Sequence, residues 1–203
     1  MSSLGNREKQ LLLELARRSL TVVVESRESL DNLPQNPGLG ESSGAFVTLR
    51  KRGRLRGCIG QIGSERSLME VVVHCARAAA LEDPRFEPVC AEELREIEIE
   101  LSILSPLEEI RPGQIEVGKH GLMVSAGQRR GVLLPQVAVE CHWNAGGFLE
   151  ETCVKAGLER DAWREPETKV HGFTADVFAE SDFRSEQLSG PRDRAKPRYS
   201  IST

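Results

Sequence analysis

At 203 residues the chain can bury a real core, as one large domain or two intimate subdomains. Its make-up, 39% hydrophobic and 29% charged, is that of an ordinary soluble globular protein, and a net charge of −4 argues against a general nucleic-acid binder. No run of about 18 apolar residues occurs, so no membrane-spanning helix is expected.

The N-terminus, Met1-Ser2-Ser3-Leu4-Gly5-Asn6-Arg7-Glu8, has no apolar core of a leader, and the five cysteines never form Cys-x-x-Cys. Reduced thiols and a cytoplasmic location are therefore expected. Residues 6–26 carry apolar side chains at three-to-four spacing (Leu11, Leu12, Leu15, Ala16, Leu20, Val23), which predicts a helix. Pro, Gly, Asn and Ser crowd the stretch 29–43, a loop. Gly44 to Leu49 reads as a strand, Arg50 to Gly53 as a basic hairpin turn, and Leu55 to Ile62 as the returning strand.

Ser67-Leu68-Met69-Glu70 is a capping box that opens a helix, with Cys75 on its apolar stripe; Asp83-Pro84 ends it, since proline lacks an N–H and biases the preceding residue out of the helical region. A helical turn at Glu92 to Glu96 precedes Ile97 to Ile103, whose strict alternation predicts a half-exposed antiparallel strand closed by Pro106.

The second half repeats this order. Gly121 to Ser125 is a strand, Gln128 to Arg130 a turn, and Gly131 to Pro135 the return; helical stretches follow at 136–142 and 148–156, the latter ended by Gly157. Val170 to Glu180 closes as a single strand. The predicted fold class is α+β, with two β-rich repeats (hairpin, helices, strand) forming one mainly antiparallel sheet flanked by helices. On this reading Cys58 and Pro135 sit at equivalent strand-to-helix junctions. The domain runs over 1–183, with subdomains of about 6–110 and 111–183. Residues 184–203, five cations against two acids and no apolar period, form a mobile tail.

The chemistry concentrates at Arg54-Leu55-Arg56-Gly57-Cys58-Ile59-Gly60. Five cations, Arg50, Lys51, Arg52, Arg54 and Arg56, stand beside a cysteine flanked by glycines. A nearby guanidinium favours the thiolate, the usual way a cysteine is made reactive. Strand alternation would put Arg56 on the face of Cys58. The competing reading is a small apolar strand-end cysteine packed in the core.

With those residues in hand the chain resembles the protein A component of the AmmeMemoRadiSam system, the domain also found in the human Alport-region AMMECR protein. The matching blocks are Phe46-Val47-Thr48, Leu55-Arg56-Gly57-Cys58-Ile59-Gly60, Asp83-Pro84-Arg85-Phe86, Val117-Gly118-Lys119-His120-Gly121 and Leu134-Pro135-Gln136-Val137-Ala138, with Trp143 and Lys155-Ala156-Gly157. The resemblance implies an α+β fold of two β-rich repeats sharing a mainly antiparallel sheet. It also implies association with a Memo-like protein and a radical SAM protein, and it supplies no settled reaction.

Two function classes follow. As an enzyme, Cys58 is the nucleophile, His120 the candidate base, Asp83 the group orienting that base or Arg85, and Arg56, Arg85 and Gln136 bind a small anionic substrate. As a non-catalytic module, Arg56, Arg85 and the basic turn present themselves to an anionic ligand, an RNA or a partner enzyme. RNA is disfavoured by net charge and by the 4% aromatic content. No metal or other cofactor is expected, because His74-Cys75 and Cys141-His142 are adjacent pairs that diverge on a helix.

Overall fold

The first helix starts where glycine gives way to a charged run. In the computed structural model, which describes residues 4–30, 32–34, 36, 39, 44–63 and 66–184, α1 spans Asn6–Ser26, as the apolar spacing predicts. The Glu8 carboxylate accepts a hydrogen bond from the Gly5 N–H at 2.8 Å, setting a negative charge on the first turn. Val23 and Val24 stay helical because both are buried, and burial outweighs the small propensity cost of β-branching.

Strands β1 (Ala45–Lys51) and β2 (Arg54–Gln61) form the predicted hairpin with a tighter turn than expected. Only Arg52 and Gly53 turn, both at positive φ (52° and 78°), the geometry of a two-residue type I′ loop. Lys51 pairs with Arg54 and Arg50 with Leu55, but Leu49 pairs with Gly57. Arg56 is therefore the extra residue of a β-bulge.

The capping box holds: Ser67 Oγ accepts from the Glu70 N–H and Glu70 accepts from the Ser67 N–H (2.8 Å), opening α2 (Leu68–Leu81). Leu68, Val71, Val72, Cys75, Ala76 and Ala79 are buried, as the stripe predicts. Past the predicted short turn, at Ala91–Glu93, β3 (Ile97–Leu104) lays Ile97, Ile99, Leu101 and Ile103 into the core.

A two-residue strand that the sequence did not signal, β4 (Glu108–Glu109), leads to β5 (Gly121–Ala126) and β6 (Arg129–Leu133). Arg129 and Arg130 lie in β6 rather than in the turn, which falls on Gly127 and Gln128. Helix α3 is short (Pro135–Glu140). Helix α4 (Ala145–Lys155) is capped by Asn144, which accepts from the Gly147 N–H at 2.9 Å, and Gly157 follows at φ 71°, as expected. The closing segment is two strands, β7 (Lys169–Phe173) and β8 (Ala175–Ala179), before α5 (Glu180–Arg184).

The fold is α+β, and the repeat is visible in the strand order. One sheet runs β2-β1-β3-β8 and the other β4-β7-β5-β6, so in each half the third strand pairs with the first strand of the hairpin. The single sheet of the sequence reading is corrected to two four-stranded antiparallel sheets. The reason lies at Ser105–Pro106. Between the pairs Leu104↔Ala175 and Glu108↔Gly172 one chain has three residues and the other two, and proline has no N–H for the ladder. The strands still pass side by side there, with Ser105 N–H to the Thr174 carbonyl at 2.9 Å and Thr174 N–H to Ser105 Oγ at 3.0 Å. Each half sends its last strand to the other sheet: β4 edges the second, β8 the first.

Helices α1 and α2 cover one face of the first sheet around a core that includes Leu12, Leu15, Leu20, Val47, Leu49, Val72, Ile99 and Leu101. A second core gathers Leu122, Val124, Ala138, Phe148, Leu149, Cys153 and Val170. Glycine sets the helix–sheet spacing in both. A Cβ on Gly57 would stand 2.2 Å from the Ala79 carbonyl oxygen, and one on Gly131 2.3 Å from the Ala156 nitrogen. These glycines pair with Leu49 and Val124 and mark equivalent positions. Counted from them, Cys58 corresponds to Val132 and Pro135 to Gln61, so the equivalence of Cys58 and Pro135 is corrected by three residues. Of the tail expected at 184–203, Arg184 ends α5 and residues 185–203 lie outside the described residues.

These contacts predict a graded glycine series. Gly57→Ala forces helix backbone off strand backbone and should cost about 3 kcal/mol. Gly53→Ala, with open space around its Cβ and only the left-handed φ to bear, should cost about 1 kcal/mol. Urea denaturation measures both; equal costs would mean the helix–strand approach is not the constraint.

Candidate functional site

Cys58 lies on β2, an edge strand with β1 on one side only. Gly57 faces α2, so alternation turns the Cys58 side chain to the sheet's other face, where it is partly exposed. Thr48, its cross-strand partner, is nearly buried and donates its hydroxyl to Cys58 Sγ at 3.4 Å.

The outward edge of β2 at this residue is covered by the turn that ends α2. Asp83 Oδ2 accepts the Cys58 N–H at 2.8 Å, and Arg85 Nη2 reaches the Cys58 carbonyl at 3.4 Å. Arg85 also grips Asp83 with two bonds, Nε to Oδ1 at 2.9 Å and Nη2 to Oδ2 at 2.7 Å, while its own N–H donates to Oδ1 at 3.1 Å. The Asp83 side chain is 2% exposed and that of Arg85 54%, so a buried anion holds a cation whose remaining surface faces solvent. The Arg85 hydrogen bonds, opposed by burial and helped by the Cys58 and Arg85 N–H groups, bring the Asp83 carboxyl down to about 2. Arg85 is raised above its ordinary value, first by Asp83, against the effect of burial, and further by Cys58. Phe86 lies under both Arg85 (5.5 Å to the ring centroid) and Arg56 (6.0 Å).

Arg56 sits elsewhere than alternation expects. At the bulge its guanidinium forks onto Glu93, Nε to Oε1 at 3.0 Å and Nη2 to Oε2 at 2.7 Å, and Lys51 adds a third bond at 2.9 Å. The cations hold the Glu93 carboxyl well below the usual carboxylate range, the Arg56 bond leading. Arg50 and Arg52 pair with Glu100 and Glu96. Four of the five cations of the basic stretch thus meet carboxylates from the segment 93–100, which leaves the hairpin little unbalanced charge for an anion. The cation beside Cys58 is Arg85.

The structure brings together Cys58, Asp83 and Arg85, and adds Thr48 and Glu93, which sequence reasoning missed. His120 belongs to another cleft, of about 670 Å³, between β4, the end of β7 and the segment before β5. There its Nδ1 accepts the Glu116 N–H at 3.1 Å. Gln136 lies in the first turn of α3, against the second sheet. Asp83 orients Arg85 and the Cys58 main chain, not a histidine. Among the described residues no group of three His, Cys, Asp or Glu is placed to hold a metal, and no helix is long and apolar enough to cross a membrane. Cys75 is fully buried, and burial lifts its thiol to about 11. Cys90 and Cys141 are exposed.

Asp83 gives the site a pH signature. Its folded pKa is depressed from 3.8 to about 2, so its stabilisation is complete above the unfolded value and disappears as pH falls through the folded one. With the exposed Arg85 screened by solvent, the contribution is about 1–2 kcal/mol. Asp83→Asn should be destabilised by a constant amount above about pH 5, with the gap to wild type closing between about pH 4 and 2. Urea melts across that range measure it; a gap independent of pH would show that the carboxylate charge is not what stabilises the turn.

The AMMECR1 family model matches residues 13–178. A protein from Methanothermobacter thermautotrophicus is 41% identical over 187 residues, covering 87% of this chain and 96% of that protein. Protein TK0174 from Thermococcus kodakarensis is 42% identical over 183 residues, covering 84% and 89%. The crystal structure of the uncharacterised protein PH0010 from Pyrococcus horikoshii superposes with a TM-score of 0.77 at 40% identity, covering 83% of this chain and 89% of that one. The matched span takes in both repeats and the Cys58, Asp83 and Arg85 cluster: the chain belongs to the AMMECR1 family.

Proposed function

We propose that this protein is a cytosolic enzyme working through Cys58 on a small anionic substrate. The observation that carries the reading is a partly exposed thiol beside a guanidinium whose orientation is locked by a buried carboxylate. Cys58 is the nucleophile. Arg85 binds the substrate's carboxylate or phosphate with the edge that Asp83 leaves to solvent, and Asp83 is a positioning residue. The thiol gives its proton to water, the sulfur bonds an electrophilic carbon, and the leaving group takes the electron pair of the broken bond. Arg56, drawn off to Glu93, supports the strand end, and His120 and Gln136 serve the second sheet. The resemblance of its sequence motifs implies a place alongside Memo-like and radical SAM partners, and five unpaired thiols suit a reducing compartment.

A second reading has its own observation. Asp83 and Arg85 bond the main chain of Cys58, which is also how a sheet edge is finished in a non-catalytic ligand- or partner-binding module. Site-resolved alkylation by iodoacetamide, read by peptide mass spectrometry, separates the two. On the enzyme reading Cys58 reacts faster than the exposed Cys141, slows several-fold in Arg85→Gln, and changes little in Arg56→Gln. If Cys58 lags behind Cys141, or ignores Arg85, the module reading replaces the enzyme.

A further inference from the structure

The register of the first sheet fixes what surrounds Cys58 on the face that α1 and α2 leave uncovered. Across the ladder stand Thr48 and then Glu100, which Arg50 engages at 3.5 Å. Toward the bulge lies the Arg56–Glu93 pair, and at the outer edge of β2 lie Asp83 and Arg85. In these directions the thiol has polar or charged neighbours. Along β2 toward Gly60 its neighbour is apolar.

Gly60 pairs with Phe46, and a Cβ on Gly60 would stand 2.1 Å from Phe46 Cδ1, so the phenyl ring lies on bare backbone where a side chain would be. The second sheet uses the same device: a Cβ on Gly121 would stand 2.3 Å from Phe173 Cζ. Phe173 is 2% exposed, and its ring serves packing alone, whereas Phe46 stays partly open to solvent. The row that starts at Gly60 and Phe46 continues through Ser102 to Val177, which is 46% exposed. Small-molecule sites combine apolar and aromatic walls, which supply contact area, with a few polar groups that fix orientation. Beside Cys58 the open ring and the solvent-facing Arg85 guanidinium supply one of each.

We propose that Phe46 is a specificity-determining residue of the Cys58 site, and that the substrate is an anion carrying an aromatic or other flat apolar group rather than a compact one. The proposal rests on the enzyme reading of Cys58 and names its substrate class. Arg85 takes the anionic group, the electrophilic carbon meets Sγ, and the apolar group lies against the Phe46 ring.

The test uses two alkylating acids with the same iodoacetyl head, N-iodoacetylglycine and N-iodoacetyl-L-phenylalanine. Both lose iodide to the attacking sulfur, both carry one carboxylate, and they differ only by a benzyl group. Site-resolved rates in the full chain, each divided by that reagent's rate with glutathione, give a preference for every thiol. At Cys58 the phenylalanine reagent should be favoured by about fivefold or more, and at the exposed Cys141 neither reagent should be. In Phe46→Ala the Cys58 preference should vanish. Absence of a preference at wild-type Cys58 overturns the proposal without any variant, and so does a preference that Phe46→Ala leaves undiminished. If thermal melts show that Phe46→Ala does not fold, Phe46→Leu, which keeps an apolar side chain without the flat ring, takes its place and should at least halve the preference. The preference is a ratio at one sulfur and does not depend on how reactive that sulfur is. A slow Cys58 that still prefers the phenylalanine reagent would end the enzyme reading and leave Phe46 as a binding wall; a fast Cys58 without preference would end the Phe46 proposal alone.

Discussion

The approach of α2 to β2 at Gly57 governs the geometry of the first half. With no Cβ on the strand, the Ala79 carbonyl comes down onto its backbone. Helix position and strand position are then one quantity rather than two. The helix ends two residues later, so the turn beyond it falls beside the next residue of the strand. Asp83 meets the Cys58 N–H because Gly57 lets Ala79 in. The two sequence blocks around Cys58 and Asp83, 25 residues apart, are one structural unit.

The bulge at Arg56 is the second determinant. A regular hairpin closing on Arg52 and Gly53 would pair Thr48 with Gly57 and leave Cys58 facing the preceding residue. The extra residue moves Cys58 opposite Thr48 and lets the Arg56 guanidinium reach Glu93 beside Lys51. Electrostatics follow: four of the hairpin's five cations are matched by carboxylates before and along β3, and the charge next to the thiol comes from a different element.

Much of this was legible in the sequence and some of it was not, for definable reasons. Helix α1, the Ser67 capping box, the Asp83-Pro84 stop and the alternation of β3 rest on local periodicity and turn chemistry, and these appeared as read. Proximity of Cys58 and Arg56 in sequence suggested an electrostatic pair that the bulge undoes, and no local signal announces a bulge. His120 reads as a base only on the supposition that it reaches Cys58, a tertiary fact. The closing segment 170–180 looked like one strand because Val170, Phe173, Thr174, Val177 and Phe178 are strand formers and no proline interrupts them; Thr174, where it changes sheets, differs in partner and not in propensity. Thr48 was within reach of sequence reasoning, since it stands in the hairpin strand opposite the thiol, but only the register selects it.

The exchange of β4 and β8 ties the two halves together in time as well as in space. During synthesis the first sheet emerges with β1, β2 and β3 in place, yet its fourth strand comes from residues 175–179, after nearly the whole second half has been made. Until then the edge of β3 that faces β8 lacks its neighbouring strand. Pairing so distant in sequence is slow to form. The first sheet therefore cannot be completed until residue 179 has been made, and a factor that shields strand edges would have its longest window of action before that point.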